Sequence, residues 1–240
     1  MYDFNGKRAL VTGAGRGIGR EIVKQLSKYG AHVIALSKTR ENLESLKSEL
    51  PSIETICVDL GDWKATRQAV EKLQTIDLLV NNAGVLEEAV FETITEEQFD
   101  KTFNVNVKAI INISQVIAKK LKDENKPGSV VNISSVSSWF NYTGEAVYGL
   151  SKATVDKLTK LMAKELGPSG IRVNSVNPTW VLTEMAMQLL SPENEAQLKS
   201  KIPLGKFCDV KDIADAVLFL LSDNAKMVNG VHFPVDGGEQ

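Results

Sequence analysis

The sequence predicts an α/β fold, one domain built on a doubly wound, seven-stranded parallel sheet with helices on both faces. Three observations carry that prediction. Short β-branched runs alternate with segments whose apolar residues recur at helical spacing. A glycine-rich stretch, Thr12-Gly13-Ala14-Gly15-Arg16-Gly17-Ile18-Gly19, separates the first such run from the first helical segment. No repeat, low-complexity linker or shift of composition divides the 240 residues, a length that supports a single large core. Strand–helix alternation favours a parallel sheet, because parallel neighbours need a crossover connection.

The elements follow in order. Arg8 to Thr12 reads as a buried first strand, and Arg16 to Tyr29 as a helix with Ile18, Ile22, Val23 and Leu26 on one face. His32 to Leu36 is the second strand, and Arg40 to Leu50 a helix stopped by Pro51. Glu54 to Val58 is the third strand, Trp63 to Leu73 a helix, and Asp77 to Val80 the fourth strand. Thr95 to Ala118 reads as one or two helices, opened by a capping box at Thr95 and Gln98. Ser129 to Ile133 is the fifth strand, Tyr148 to Leu166 a long helix, and Arg172 to Val176 the sixth strand. Val210 to Leu221 is a helix and Val231 to Val235 the seventh strand. Thr179 to Cys208 lacks strand character and follows a strand end, where ligands bind in such sheets. It reads as a substrate lid, the rival reading being a helical hairpin packed on the body.

Composition narrows the classes. Hydrophobic residues make 43% and charged residues 24%, ordinary for a globular protein, and the net charge is −2. No basic cluster is dense enough to argue for nucleic acid. Cys57 and Cys208 form no CxxC pair and no His/Cys/acid cluster suggests a metal, so a reducing, cytoplasmic setting is expected. His32 and His232 fall in strand patterns and read as structural. The first residues do not read as a signal peptide. Apolar runs such as Ala216 to Leu221 are too short to span a bilayer.

Glycines after a strand permit a tight turn, and let a pyrophosphate approach the N–H groups that open a helix. Gly13, Gly15, Gly17, Gly19, Arg16 and Ile18 are therefore candidate dinucleotide contacts. An acid ending the second strand would take adenosine ribose hydroxyls. Here that stretch is Ser37-Lys38-Thr39-Arg40, with hydroxyls and positive charge and no carboxylate. With Arg16 nearby, a 2′-phosphate suits the site, which predicts NADP(H) over NAD(H). Asp59 and Leu60 at the third strand's end are placed for the adenine. Asn81-Asn82-Ala83-Gly84 suits a backbone passing close to the cofactor.

Tyr148 and Lys152 are about one helical turn apart and share a face. A lysine ammonium beside a phenol favours the phenolate, which predicts a lowered Tyr148 pKa and acid–base work near neutral pH. Ser135 stands thirteen residues before Tyr148, with Ser134 as its rival. Strand alternation sends those two side chains to opposite sides.

Together these motifs resemble the short-chain dehydrogenase/reductase family over essentially the whole chain. The family pattern TGxxxGxG is met at Thr12 to Gly19, NNAG at Asn81 to Gly84 and YxxxK at Tyr148 and Lys152. Asn106 matches the family's helix asparagine and Ser135 its serine. The resemblance implies a single-domain Rossmann fold over residues 1–240. It also implies carbonyl reduction with Tyr148 as general acid, Lys152 lowering the tyrosine pKa and holding the nicotinamide ribose, and Ser135 orienting the carbonyl. Asn106 would hold a water that links Lys152 to solvent. Pro178, Val181 and Thr183 would meet the nicotinamide carboxamide. A homotetramer is implied, through helices near Phe103 to Leu121 and Tyr148 to Leu166. Ala109, Ile113, Ala153, Val155 and Leu158 are its candidate positions.

Three segments, Val58 to Trp63, Ile202 to Phe207 and Phe219 to Asp223, are similar to the family's reductases of sugar ketones such as L-xylulose and of small α-dicarbonyls. Candidate substrate-lining residues are Ser135, Val136, Trp139, Asn141, Tyr142, Glu145, Tyr148 and Trp180. Those reductases carry Gln, Asn and His near Val136, Gly144 and Glu145. A valine removes hydrogen-bonding capacity and a glutamate adds negative charge. The alternatives are a 3-oxoacyl thioester reductase, which would want a basic docking surface, and a catalytically silent NADP-binding regulatory protein.

Overall fold

The computed structural model describes residues 2–239 apart from Gln188, and the side chains of Pro192 and Glu193 are not described. Seven strands form one sheet: β1 (Arg8–Thr12), β2 (His32–Ser37), β3 (Glu54–Cys57), β4 (Leu78–Asn81), β5 (Gly128–Ile133), β6 (Ile171–Pro178) and β7 (His232–Val235). Their order is β3-β2-β1-β4-β5-β6-β7 and every pairing is parallel. The chain winds outward from β1 in one direction, then restarts at β4 in the other. That reversal leaves a crevice outside the carboxyl ends of β1 and β4, where loops diverge.

Both sheet faces are buried, and the strands read accordingly. On β1, Ala9 and Val11 join a core with Ile22, Val23 and Leu26 of α1 (Gly17–Lys28), Leu43 and Leu46 of α2 (Arg40–Glu49), and Val217 and Leu218 of α9 (Val210–Leu221). Leu10 points the other way. It meets Ile113, Ile117 and Leu121 of α5 (Ala109–Asp123) and Val70 of α3 (Trp63–Glu71). Ala163, on α6 (Ala146–Leu166), closes that second core. The period-two alternation of Val33 and Ala35 against Ile34 and Leu36 on β2 repeats the division.

Caps set the helix starts. Asp62 Oδ1 accepts from Ala65 N–H at 2.9 Å to open α3. The predicted capping box opens α4 (Glu96–Phe103): Gln98 N–H donates to Thr95 Oγ1 at 3.2 Å, and Thr95 N–H to Gln98 Oε1 at 3.1 Å. Between α4 and α5 lies a π-turn, Asn104–Lys108, a widening common at functional positions. Helix α5 runs to Asp123 rather than stopping at Ala118. Leu121, 1% exposed, continues its apolar stripe through a lysine-rich turn. Helix α6 starts at Ala146, so Tyr148 lies in its first turn.

The segment from Thr179 to Cys208 holds two short helices, α7 (Glu184–Met187) and α8 (Pro192–Ser200), and Gln188 within it lies outside the described residues. Among the five expected interface positions, Ala109, Ile113 and Val155 are core residues. The inner faces of α5 and α6 carry them against the sheet. The apolar side chains these helices expose are Leu150 and Leu161. No helix of the described residues is long and apolar enough to cross a membrane.

Candidate active site

A cleft of about 740 Å³ opens at the carboxyl edge of the sheet. Gly13, Arg16, Gly17 and Ile18 line it from the first turn, with Ser37, Lys38 and Thr39 from the end of β2 and Asp59 and Leu60 from the end of β3. Asn82, Ala83 and Gly84 line it beyond β4, and Ser135, Val136, Tyr148 and Lys152 beyond β5. Pro178, Trp180, Val181 and Thr183 close the far wall, with Met185, Ala186 and Leu189 of the inserted segment above them. That segment is therefore helical, and its α7 end lines the cleft.

The glycine turn is locked onto β4. Thr12 Oγ1 accepts from the N–H groups of Asn82 at 3.0 Å and Ala83 at 3.1 Å. Asn82 Nδ2 donates back to Thr12 O at 2.9 Å and Gly13 O at 3.3 Å. Gly19 sits beneath this knot. A Cβ there would lie 2.4 Å from Gly13 O and 2.5 Å from Asn82 Nδ2, a space that takes only glycine. Gly15 and Gly19 thus shape the turn without reaching the cleft wall; a Cβ on Gly15 would meet Asn42 at 2.8 Å.

Helix α1 opens at Arg16 with no side-chain cap and no acid in its first turn, so its first N–H groups are free for an anion. Lys38 and Thr39 stand on the same rim, and the end of β2 bears no carboxylate. The donor set fits a dinucleotide carrying a 2′-phosphate. Arg40 is the exception to the expected contacts. It begins α2, faces solvent and lies outside the cleft wall. Arg16 reaches across the cleft mouth to Glu184 of α7, with Nη1 and Oε2 2.5 Å apart. Both partners are exposed, so the pair adds little stability.

The reacting end gathers on α6 and the exit of β5. Ser134 and Ser135 diverge as alternation requires: Ser134 Oγ donates to Lys152 O at 3.2 Å, while Ser135 lines the cleft with Tyr148 and its hydroxyl donates to Ser137 Oγ at 3.1 Å. Lys152 is 4% exposed. Its Nζ donates to Ile133 O at 2.8 Å and lies 5.4 Å from the centre of the Tyr148 ring. Burial lowers the Lys152 pKa to about 8, with Asp156 one turn further along α6 working the other way.

The Tyr148 phenol corrects an expectation. Its pKa is raised, not lowered. Burial dominates, the neighbouring Ser135 hydroxyl opposes it, and the Glu145 charge adds to it. Lys152 faces the ring and the Ile133 carbonyl, and its charge does not offset the desolvation of a phenolate.

Asn106 is fully buried in the π-turn and off the cleft wall. Its amide accepts from Val85 N–H at 2.9 Å and donates to Val85 O and Ser151 Oγ, each at 3.0 Å. It therefore anchors the strand exit beside Gly84, where a Cβ would lie 3.6 Å from both Asn106 Oδ1 and Lys152 Nζ. Behind Lys152, Asp156 accepts from Asn177 Nδ2 at 2.9 Å, and the same amide reaches Ser135 O at 3.2 Å. His232 Nδ1 completes this buried group 2.9 Å from Ser175 Oγ. Thr183 Oγ1 accepts from Ala186 N–H at 3.3 Å, and its methyl faces Gly17 across the cleft.

On the substrate side, Val136, Tyr142, Glu145 and Trp180 line the wall as expected. Asn141 and Trp139 do not. Both are exposed and outside the wall, because the loop turns Tyr142 inward to donate to Glu239 Oε1 at 3.1 Å. Glu239 also accepts from Thr179 and is 8% exposed. The sequence pattern singled out neither Glu239 nor Ser137, whose Oγ donates to Glu145 Oε2 at 2.9 Å. Both depend on contacts between loops that no periodicity encodes.

Fold and cleft define a dinucleotide-binding α/β protein with a Ser–Tyr–Lys site. A family model described as Enoyl-(Acyl carrier protein) reductase matches residues 13–240. The chain belongs to the short-chain dehydrogenase/reductase family. It is 50% identical over 234 residues to L-xylulose reductase of Mesocricetus auratus, covering 97% of this chain and 96% of that one. To Carbonyl reductase (NADPH) 2 of Sus scrofa it is 48% identical over 239 residues, 99% and 98% of the two chains. Among solved structures, 3-ketoacyl-(acyl-carrier-protein) reductase from Brucella melitensis, complexed with NADH, superposes with a TM-score of 0.92 at 29% identity, covering 99% of each chain.

Proposed function

We propose that this chain is an NADPH-dependent carbonyl reductase that converts a sugar ketone such as L-xylulose, or a small α-dicarbonyl, to the alcohol. The carrying observation is that Ser135, Tyr148 and a buried Lys152 share the inner end of a cleft whose outer end offers the uncapped N–H groups of α1 to a phosphate. NADPH, held along the glycine turn and β2–β3 ends, would supply the hydride. Gly13, Arg16, Gly17, Ile18, Ser37, Lys38 and Thr39 hold its phosphates and adenosine. Asp59 and Leu60 flank the adenine.

Ser135 holds the carbonyl oxygen by a hydrogen bond and orients it toward Tyr148. Tyr148 gives its phenolic proton to that oxygen as the carbon is reduced. A raised phenol pKa keeps this proton in place until the oxygen gains charge. Lys152 keeps positive charge near the developing phenolate and holds the nicotinamide ribose. Asn106 fixes the strand exit beside Lys152 and supports a water there. Pro178, Val181 and Thr183 form the carboxamide side. The segment over Leu189 acts as a lid.

The substrate end favours neutral, hydroxylated carbonyls. Val136 offers no hydrogen bond, while Glu145 and Tyr142 bring carboxyl oxygens and a hydroxyl to the wall. A 3-oxoacyl thioester reductase fits less well. The cleft rim carries Glu87 and Glu145, and Lys101 is paired with Glu87, so little free positive charge faces an acidic carrier. Mixing the pure protein with NADPH and either L-xylulose, diacetyl or an acetoacetyl thioester tests the reading. Turnover with the first two and NADPH well above NADH is expected. Turnover with the thioester alone would move the chain to the runner-up.

We also propose a homotetramer, and a cytoplasmic setting. Leu150, 58% exposed, and Leu161, 46% exposed, lie three turns apart on α6, with Phe99, 42% exposed, on α4. Such a stripe is suited to helix-on-helix packing. Light scattering is expected to read four chains, and a monomer at micromolar concentration would remove this part.

A further inference from the structure

Behind the reacting end lies a carboxylate that the reduction step leaves unused. Asp156 sits on α6 one turn beyond Lys152 and is buried. A buried carboxylate is costly unless it is paired or hydrogen-bonded, and an apolar side chain would pack at such a helix position without that cost. Among the described residues its one ion-pair contact is with His232, Nδ1 to Oδ1 at 3.6 Å. Burial lowers the His232 pKa, with the Asp156 charge opposing, so the imidazole is a weak charge partner. What the carboxylate holds instead is an amide. Asn177 Nδ2, near the end of β6, donates to Asp156 Oδ2 at 2.9 Å and Oδ1 at 3.1 Å. The same nitrogen donates to Ser135 O and Ser138 Oγ, each at 3.2 Å. We propose that Asp156 is a positioning residue: it fixes which end of the Asn177 amide faces the exit of β5, and through that amide it holds Ser135 where its hydroxyl meets the carbonyl oxygen of the substrate. The role rests on the carbonyl-reductase reading.

The donors and acceptors allow one arrangement. The two ends of an amide have nearly the same shape, so its neighbours decide which end faces which way. A carboxylate accepts and never donates, so Asp156 draws the Nδ2 end toward itself. On the other side, Ser175 Oγ makes its shorter donation to Asn177 Oδ1 at 2.9 Å and its longer one to Asp156 Oδ1 at 3.3 Å. His232 Nδ1 stands 2.9 Å from the same hydroxyl, where an imidazole N–H satisfies it. Turned over, Asn177 Oδ1 would face the Asp156 carboxylate and the Ser135 carbonyl, with no proton between the oxygens.

The Ser135 carbonyl is the point at which this group reaches the chemistry. Ser135 is extended, with φ −167 and ψ 157, and leads into a one-turn 3-10 helix, Val136–Ser138. Its carbonyl accepts from Ser138 N–H at 3.1 Å and Ser138 Oγ at 2.8 Å. Both of those donors belong to the turn itself and move with it. The Asn177 amide comes from β6 and is held by α6, the helix that carries Tyr148 and Lys152. Asp156 and Asn177 therefore lock Ser135 into one frame with Tyr148. Carbonyl and hydroxyl share the Ser135 Cα, so a shift of this peptide carries the hydroxyl with it. Orientation of this kind supplies rate, and a displacement of about 1 Å can cost about 10²-fold.

The test is a double-mutant cycle on kcat for diacetyl reduction at saturating NADPH, in the wild type, Asp156→Asn, Ser135→Ala and the two combined. Asp156→Asn keeps the shape and replaces a group that only accepts by one that also donates, so the amide loses its fixed sense. It is expected to lower kcat about tenfold, inside the cost of a displaced group, with NADPH affinity unchanged and KM for diacetyl within about twofold. Ser135→Ala is expected to lower kcat about a hundredfold. With the hydroxyl gone there is nothing left to position, so adding Asp156→Asn to Ser135→Ala is expected to lower kcat by less than about twofold more. A role through general stability or through the Lys152 charge would lower kcat by the same factor in both backgrounds. Such additive losses, an unchanged kcat in Asp156→Asn, or a fall in Tm alone would overturn the positioning role. Should Asp156→Asn fail to fold, Ser175→Ala, which strips the donor from the Asn177 Oδ1 end, enters the same cycle. The same coupling to Ser135→Ala is then expected, and additive or absent losses overturn the role. NADPH left unconsumed by the wild type with both diacetyl and L-xylulose would overturn the carbonyl-reductase reading itself. An active wild type with additive losses overturns the positioning role alone.

Discussion

Tyr148→Phe removes one oxygen atom and is expected to lower kcat for carbonyl reduction by about 10²- to 10⁴-fold, the range for a positioned acid. The ring that packs beside Lys152 remains, so NADPH affinity and thermal stability hold near wild type. The loss falls on kcat rather than KM, because proton donation belongs to the transition state. Stopped-flow NADPH binding together with steady-state kinetics reads both parts. Full turnover in Tyr148→Phe would remove Tyr148 as the acid and leave Ser135 as its replacement. A loss of NADPH binding alone would instead make the tyrosine a cofactor contact.

Gly19→Ala is expected to strike the other end of the cleft. The new Cβ would be 2.4 Å from a backbone carbonyl and 2.5 Å from the Asn82 amide. Neither can yield without moving β1 or the strand exit that Thr12 and Asn82 tie together. Overpacking of this kind costs about 1–3 kcal/mol. The tie that breaks is the one that sets the phosphate turn, so NADPH affinity should fall about tenfold or more, roughly 1.4 kcal/mol or above. Calorimetry should show weaker binding and a lower Tm in the same variant. Retention of both would mean that the loop is slack enough to bind its ligand without this packing.

The two ends of the cleft differed in how much of them the sequence disclosed. The strands were legible because both sheet faces are buried: Leu10 and Val11 on β1 belong to opposite cores, so the run is apolar throughout. The glycine turn and the Tyr148–Lys152 spacing were legible because one helical turn and one tight loop are local geometry. Alternation said that only one of Ser134 and Ser135 faces the site, and the family's spacing to the tyrosine chose Ser135; the hydroxyl of Ser134 is committed to the Lys152 carbonyl.

What escaped was tertiary. Glu145 and Ser137 meet only because Gly144 and the 3-10 turn fold two loops together. Glu239 reaches Tyr142 from the far end of the chain. The direction of the Tyr148 pKa escaped because spacing reports that Lys152 is near. It does not report how much water both groups have lost, and burial outweighs proximity here. Arg40 and Asn141 were misplaced for a related reason. Adjacency in sequence to a lining residue does not set the side of the loop on which a side chain emerges.

The central claim is that hydride passes to a carbonyl carbon in this cleft while Tyr148 protonates the oxygen. Turnover of diacetyl with NADPH deuterated at the transferring position, followed by mass spectrometry of the alcohol, tests it most directly. One deuterium on the new carbinol carbon in the wild type, and no labelled alcohol from Tyr148→Phe in the same time, is the expected result. An alcohol without deuterium, or NADPH left unconsumed across diacetyl and L-xylulose, would contradict it.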